Sequence, residues 1–271
     1  MSTYLEFAFI SPLEEEQKDI LIAVLSGMGF TGFEEDRKKL KAFVPQEDFD
    51  EDAFTTYCTI NDLHFVKSEV EEKNWNEEWE KNFEPVIVGD YCAIRADFHA
   101  PVTNVKHEII ITPKMSFGTG HHATTYMMIQ AMQELDFSGK TVFDFGTGTG
   151  VLAILAEKEN ALSITAIDND QWSIENAEEN LERNQCNKIL LYRADELNEG
   201  KQFDIILANI NRNVILQFLP AMKQHLATDG VLLLSGLLHT DREIILEEAL
   251  KNNLKNVETI ERNSWICLKM Q

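Results

Sequence analysis

No stretch of this sequence approaches the roughly 18 consecutive apolar residues that a membrane helix needs, and runs such as Val231 to Leu234 fall far short. The chain does not open on a basic segment followed by an apolar one, so no secretory leader is expected and a cytoplasmic setting is. Cysteine is scarce. Cys58, Cys92, Cys186 and Cys267 are scattered with no C-x-x-C pair, which argues against a zinc site and against a disulfide framework. Basic residues are also few, with 24 Lys plus Arg against 46 Asp plus Glu and a net charge of −22. So negative a surface repels phosphate backbones and anionic lipid, and it attracts a basic protein.

What is present is an ordinary globular composition, 44% apolar over 271 residues, long enough for one large domain or two smaller ones. Residues 1–72 alternate short elements in the order β-α-β-β-α-β, the order of a ferredoxin-like α+β unit. Leu5 to Ile10 alternate as a half-buried strand does, and Ile20, Leu21, Val24, Leu25 and Met28 fall at helical spacing after Pro12. This quarter of the chain carries 17 acidic and 6 basic residues, a net of −11 and so half of the excess. Trp75, Trp79 and Phe83 then lie four apart on one helical face, read as a core stripe between domains. A hairpin around Gly89-Asp90 and a strand at His107–Ile111 complete a linking region, 73–112.

Within the last region, 113–271, strands alternate with helices from Gly139 onward, so a mostly parallel sheet covered on both faces is expected. The tight connection at Asn263-Ser264 makes the last two strands antiparallel, because a parallel pair needs a long crossover. The expected strands include Thr141–Phe145, Ser163–Ile167, Phe203–Ala208 and Val231–Ser235.

Three segments carry chemistry. Val142 to Ala153 leaves a strand, turns on Gly146, Gly148 and Gly150, and enters a helix, so a ligand can lie directly on the backbone. Asp168 ends the next strand, where a carboxylate accepts the hydroxyls of a ribose. A dinucleotide loop wants G-x-G-x-x-G, but here Val151 stands where its third glycine would be. The spacing suits a nucleoside cofactor without phosphate, S-adenosylmethionine, better than a nicotinamide dinucleotide. The second segment, Met115 to Thr125, reads as a lid over the methionine end of that cofactor, with Thr125 bonded to the amino-acid group. Its adjacent histidines, His121 and His122, lack ligand spacing, so no metal is expected. The third is Ala208-Asn209-Ile210-Asn211 at the carboxyl end of a strand, the edge where open α/β sheets bind ligands.

Taken together, F-G-T-G-x-H-x-T-T (Phe117–Thr125), D-F-G-x-G-x-G-x-L-A (Asp144–Ala153), I-D-N-D (Ile167–Asp170) and A-N-I (Ala208–Ile210) resemble the ribosomal protein L11 methyltransferase family. The resemblance implies a seven-stranded class I methyltransferase domain, Rossmann-like, over 113–271, with residues 1–72 recognising substrate. It implies transfer of methyl groups from S-adenosylmethionine to lysine side chains and the N-terminal amine of that ribosomal protein. A monomer is expected. Carried over by position, Phe117, Thr125, Gly146, Gly148, Asp168 and Asn209 are the expected cofactor contacts, and Asn209 is the expected catalytic residue. Thr147 and Thr149 stand where the family often has Cys and Ser, a change between small side chains. Two alternatives stay open on sequence: a methyltransferase of another protein or small molecule, and a nucleotide-binding oxidoreductase or non-catalytic module.

Overall fold

The computed structural model describes residues 3–10, 15–36, 39–46, 49–71, 83–112, 118–196 and 200–271. The chain falls into two compact units, Met1–Asn82 and Phe83–Gln271.

The first unit runs β1 (Thr3–Phe9), α1 (Glu15–Gly27), β2 (Gly32–Asp36), β3 (Lys39–Pro45), α2 (Glu51–Ile60) and β4 (Phe65–Glu71). Its antiparallel sheet has the order β2-β3-β1-β4. Alternation on β1 decides which face is covered: Leu5, Phe7 and Phe9 are buried. The Phe7 ring sits 4.4 Å from Phe54 and 5.0 Å from Phe49, centroid to centroid, at the middle of an aromatic core. Asp50 starts α2 by accepting from the Ala53 amide at 3.0 Å.

The second unit opens with a three-stranded sheet of β5 (Val86–Val88), β6 (Cys92–Ala96) and β7 (His107–Ile111). Then follow α3 (Ala123–Gln133), β8 (Thr141–Phe145), α4 (Val151–Lys158), β9 (Ser163–Asp168), α5 (Gln171–Arg183), β10 (Ile189–Arg193) and β11 (Phe203–Asn209). The chain closes with α6 (Arg212–His225), β12 (Leu226–Leu238), a 3-10 turn (His239–Asp241), α7 (Arg242–Lys251), β13 (Asn256–Arg262) and β14 (Trp265–Met270). The large sheet has the order β10-β9-β8-β11-β12-β14-β13. Its first five strands are parallel and β14 runs antiparallel to both neighbours, as the tight turn at Asn263-Ser264 requires. From β8 the chain first builds outward through β9 and β10, then returns to place β11 on the other side. The crevice at the carboxyl ends of β8 and β11 is therefore the switch point of the sheet.

β12 is longer than the expected Val231–Ser235. Thr228-Asp229-Gly230 forms an irregularity inside it, with Asp229 at φ 61°, so pairing to β11 resumes on both sides of a shift. Phe83 is buried with Val88, Tyr91 and Ile94 in the core of the second unit, and Trp75 and Trp79 lie outside the described residues.

One device was invisible in the sequence. Asn180 and Asn184 on α5 and its C-cap turn their amides onto the edge of β7. The Ile110 amide donates to Asn184 Oδ1 at 3.0 Å, and the Thr112 amide to Asn180 Oδ1 at 2.8 Å. In return Asn184 Nδ2 donates to the Ile110 carbonyl, and Asn176 Nδ2 to that of Thr112. Side chains thus complete a strand edge that no further strand among the described residues covers. Asn180 Nδ2 also donates to the Thr149 carbonyl at 2.8 Å, which ties this edge to the glycine turn after β8.

Candidate active site

The turn between β8 and α4 holds its shape through glycine. Gly146, Gly148 and Gly150 have φ of 73°, 55° and 80°, a region that side-chain-bearing residues seldom adopt. The Gly146 and Thr147 amides both donate to the Ile167 carbonyl at 2.9 Å, which presses the turn against the end of β9. A Cβ on Gly146 would collide with Ile210 Cγ2, so this glycine also lets the β11 edge come close.

Beneath the turn lies Asp144, 1% exposed. Its Oδ2 accepts from the Thr147 hydroxyl at 2.6 Å, and its Oδ1 has no partner among the described residues. Burial pushes this carboxyl up to about 7, against the Thr147 hydrogen bond and with the charge of Asp168 adding to the rise. The Thr149 hydroxyl reaches the other way and donates to the Gly118 carbonyl at 2.9 Å. Both threonines at the loop's variable positions therefore hold the two glycine segments in place.

Asp168 closes the cavity on one side. Its Oδ2 accepts from the Gly148 amide at 2.9 Å and its Oδ1 from the Asp170 amide at 3.0 Å. Each oxygen keeps a further lone pair for a ribose hydroxyl. On the opposite side stands Asn209, 8% exposed, whose Nδ2 donates to Thr125 Oγ1 at 3.1 Å. Its Oδ1 is buried without a partner among the described residues.

These residues surround a cavity of about 680 Å³ lined by Gly146, Gly148, Asp168, Asn169, Asn209 and Trp265, among others. Such a volume falls in the range of small-molecule sites. Of the residues expected from sequence, Gly146, Gly148, Asp168 and Asn209 line it. Thr125 sits behind Asn209, against the glycine turn, and Phe117 lies outside the described residues. The two histidines point apart. His121 Nε2 meets the Glu84 carbonyl at 2.9 Å, whereas His122 caps α3 through Thr124, lies edge-on to Trp265 and faces the cavity.

Three lining features escaped the sequence reading. Ala194 and Asp195 follow β10, beside Asp168. Gly236, at φ 84°, lets β12 pass against the Ile210 backbone, with which any Cβ would overlap. A lone glycine within a strand pattern was the available signal for it. Trp265 carried no local signal, since only the sheet order brings the start of β14 beside His122.

The model of the family described as ribosomal protein L11 methyltransferase matches residues 13–271. The chain belongs to that family. Among curated relatives, the ribosomal protein L11 methyltransferase of Phocaeicola vulgatus is 38% identical over 98% of each chain. That of Porphyromonas gingivalis is 41% identical over 94% of this chain and 91% of the relative. The crystal structure of the ribosomal protein L11 methylase from Lactobacillus delbrueckii subsp. bulgaricus superposes with a TM-score of 0.66 at 29% identity, over 70% of this chain and 98% of the other. A methyltransferase from Pyrococcus furiosus shares the fold alone, with a TM-score of 0.52 at 19% identity over 60% of this chain and 87% of the other.

Membership makes the protein a methyltransferase with S-adenosylmethionine as methyl donor, on the class I fold. The cavity fits that group. Gly146 and Gly148 line it without side chains, the Asp168 carboxylate keeps acceptor capacity beside them, and Asn209 Oδ1 has no partner among the described residues.

Proposed function

We propose that this L11 methyltransferase transfers methyl groups to amines of ribosomal protein L11, both lysine side chains and the N-terminal amine. The observation that carries this reading is Asn209, which lines the cavity together with Gly146, Gly148 and Trp265 and whose buried Oδ1 has no partner among the described residues. A carbonyl oxygen left without a donor costs about 1–3 kcal/mol, and an attacking amine relieves that cost by giving it an N–H. The same hydrogen bond turns the nitrogen lone pair toward the methyl group. Bound S-adenosylmethionine supplies an electrophilic methyl on a sulfonium centre.

A lysine of pKa about 10.4 is neutral only about one time in 10³ near pH 7.4, so the site must favour the deprotonated form. Burial around Asn209 disfavours an ammonium there. An N-terminal amine, with a reference pKa of about 7.7–8.0, needs far less of this help. Thr125 holds the Asn209 amide, so orientation rather than a strong base is this site's main contribution.

In this reading Asp168, Gly146, Gly148 and Asn209 contact the cofactor, Thr125 and Phe117 flank its methionine end, and Asn209 is the catalytic residue. The acidic segment 1–72 recognises the basic substrate. The enzyme acts as a monomer in the cytoplasm, without contact to nucleic acid or membrane. No helix among the described residues is long and apolar enough to cross a membrane.

The test uses purified L11 and S-adenosylmethionine with an isotope-labelled methyl group. Label is expected on lysine and N-terminal amines of L11, and Asp168→Ala is expected to weaken cofactor binding by on the order of 10–100-fold, the value of one charged hydrogen bond. Label on another molecule of a lysate, with none on L11, overturns the substrate. Parental cofactor affinity in the Asp168 variant overturns the site.

A further inference from the structure

Asp144 has no part in the transfer described above, yet it lies buried beneath the glycine turn. Alternation along β8 puts it on the same face as Val142, which packs with Met127 and Met128 of α3 and Ile154 of α4. Its neighbours in register are apolar, Ala166 on β9 and Leu207 on β11. Such surroundings solvate a charge poorly. An ionised carboxylate has room for several donors. Here Oδ2 accepts from the Thr147 hydroxyl at 2.6 Å, and Oδ1 has no partner among the described residues.

Titratable groups on the surrounding elements are few. Among the described residues they are Asp168 at the end of β9, His122 and Tyr126 at the start of α3, Glu157 and Lys158 in the last turn of α4, and Asp204 at the far end of β11. Lys158 lies at the opposite end of α4 from the glycine turn. Burial, with the charge of Asp168 adding to it, favours the protonated form of Asp144 against the Thr147 hydrogen bond.

Thr147 links this carboxyl to the cofactor. With Gly118, Thr125, Gly146 and Asn209 it lines the small space behind Asn209, beside the residues assigned above to the methionine end. Asp144 is therefore one hydrogen bond away from the wall of that space. Two acids, Asp144 and Asp168, thus flank the turn in a poorly solvated region, where one positive charge between them is favourable. A proton supplies it in the empty enzyme.

We propose that Asp144 is the residue by which this enzyme distinguishes the charged methyl donor from its spent product. The carboxyl keeps its proton in the empty enzyme and gives it to solvent when a sulfonium centre enters the site. It regains the proton once methyl transfer leaves a neutral thioether. Donor and product share the adenosine and amino-acid groups, so the sulfonium charge is what Asp144 senses. The proposal rests on the reading above that this cavity holds the cofactor.

Titration calorimetry in two buffers of different ionisation heat counts the protons. At pH 7 the parent is expected to release about half a proton more with S-adenosylmethionine than with S-adenosylhomocysteine. From pH 6 to pH 8 the donor Kd should fall about five- to tenfold relative to that of the product. Asp144→Asn keeps an acceptor for the Thr147 hydroxyl and is expected to lose both effects, and any protons the ligands themselves exchange remain visible in it. Thr147→Val removes the hydroxyl that favours the carboxylate, so the midpoint of the release should move up by about one pH unit or more. Equal release with donor and product overturns the proposal, as does an excess that survives in Asp144→Asn or a midpoint unmoved in Thr147→Val. Binding of neither ligand to the parent overturns the cofactor site instead, so the two failures are distinguishable.

Discussion

Asn209 Nδ2 donates to Thr125 Oγ1 at 3.1 Å, and both side chains are buried although 84 positions separate them in the chain. This bond ties the carboxyl end of β11 to the start of α3 and holds the Asn209 side chain in place. Asn209→Ala is expected to lower kcat by on the order of 10–100-fold, since the group that orients the amine is gone. Thr125→Ala should cost less by itself. The double variant should lose less than the sum of the two, because residues in direct contact couple by about 0.5–3 kcal/mol. Steady-state kinetics of the four proteins measure the coupling, and strict additivity would refute the shared role.

Gly146 has no room for a methyl group, because Ile210 Cγ2 occupies that space, and its φ of 73° disfavours any other residue. Gly146→Ala is expected to weaken cofactor affinity and lower the unfolding midpoint. Adding Ile210→Ala removes the collision but leaves the backbone strain, of about 1–2 kcal/mol. Calorimetry should therefore show partial recovery in the double variant. Full recovery would mean that the backbone conformation contributes nothing.

The buried carboxyl of Asp144 gives a pH dependence of defined sign. Its pKa is about 7 in the folded chain, against about 3.9 for an unfolded aspartate. A raised carboxyl pKa favours the fold below the unfolded value, and the advantage is lost as pH climbs from about 4 through 7. Asp144→Asn keeps an acceptor for the Thr147 hydroxyl and removes the ionisation. The variant should gain stability over the parent as pH rises from 5 to 8, by on the order of a few kcal/mol at the upper end. Denaturant titrations at the two pH values test this, and a difference independent of pH would contradict it.

Asn180 serves two backbone groups, the Thr112 amide and the Thr149 carbonyl, and is fully buried. Asn180→Ala strands both without water. A loss of about 2–6 kcal/mol is expected from two unsatisfied groups of about 1–3 kcal/mol each. Because one of them belongs to the glycine turn, cofactor affinity should fall as well. A variant of parental stability would show that the ladder of asparagines on α5 is not structural.

Asp168 was legible because position alone defines it. A strand of known phase, a glycine turn and the next strand end single out one acid, and Asp168 lines the cavity beside that turn. The glycine turn was legible for a similar reason, since its φ values exclude most other residues. Asn180 and Asn184 were not, since an asparagine on a helix looks the same whether it faces water or a strand edge. Gly236 and Trp265 gave as little away, for their roles arise against Ile210 and His122 on other elements.

Local chain chemistry set the strands, the turns and the acid at the end of β9, because backbone angles and side-chain periodicity depend on near neighbours. It also set the charge that favours a basic partner. Strand order decided the rest. Placing β11 beside β8 and β14 beside β12 brings Asn209 to Thr125 and Trp265 to His122, contacts between distant segments that only the packed sheet creates.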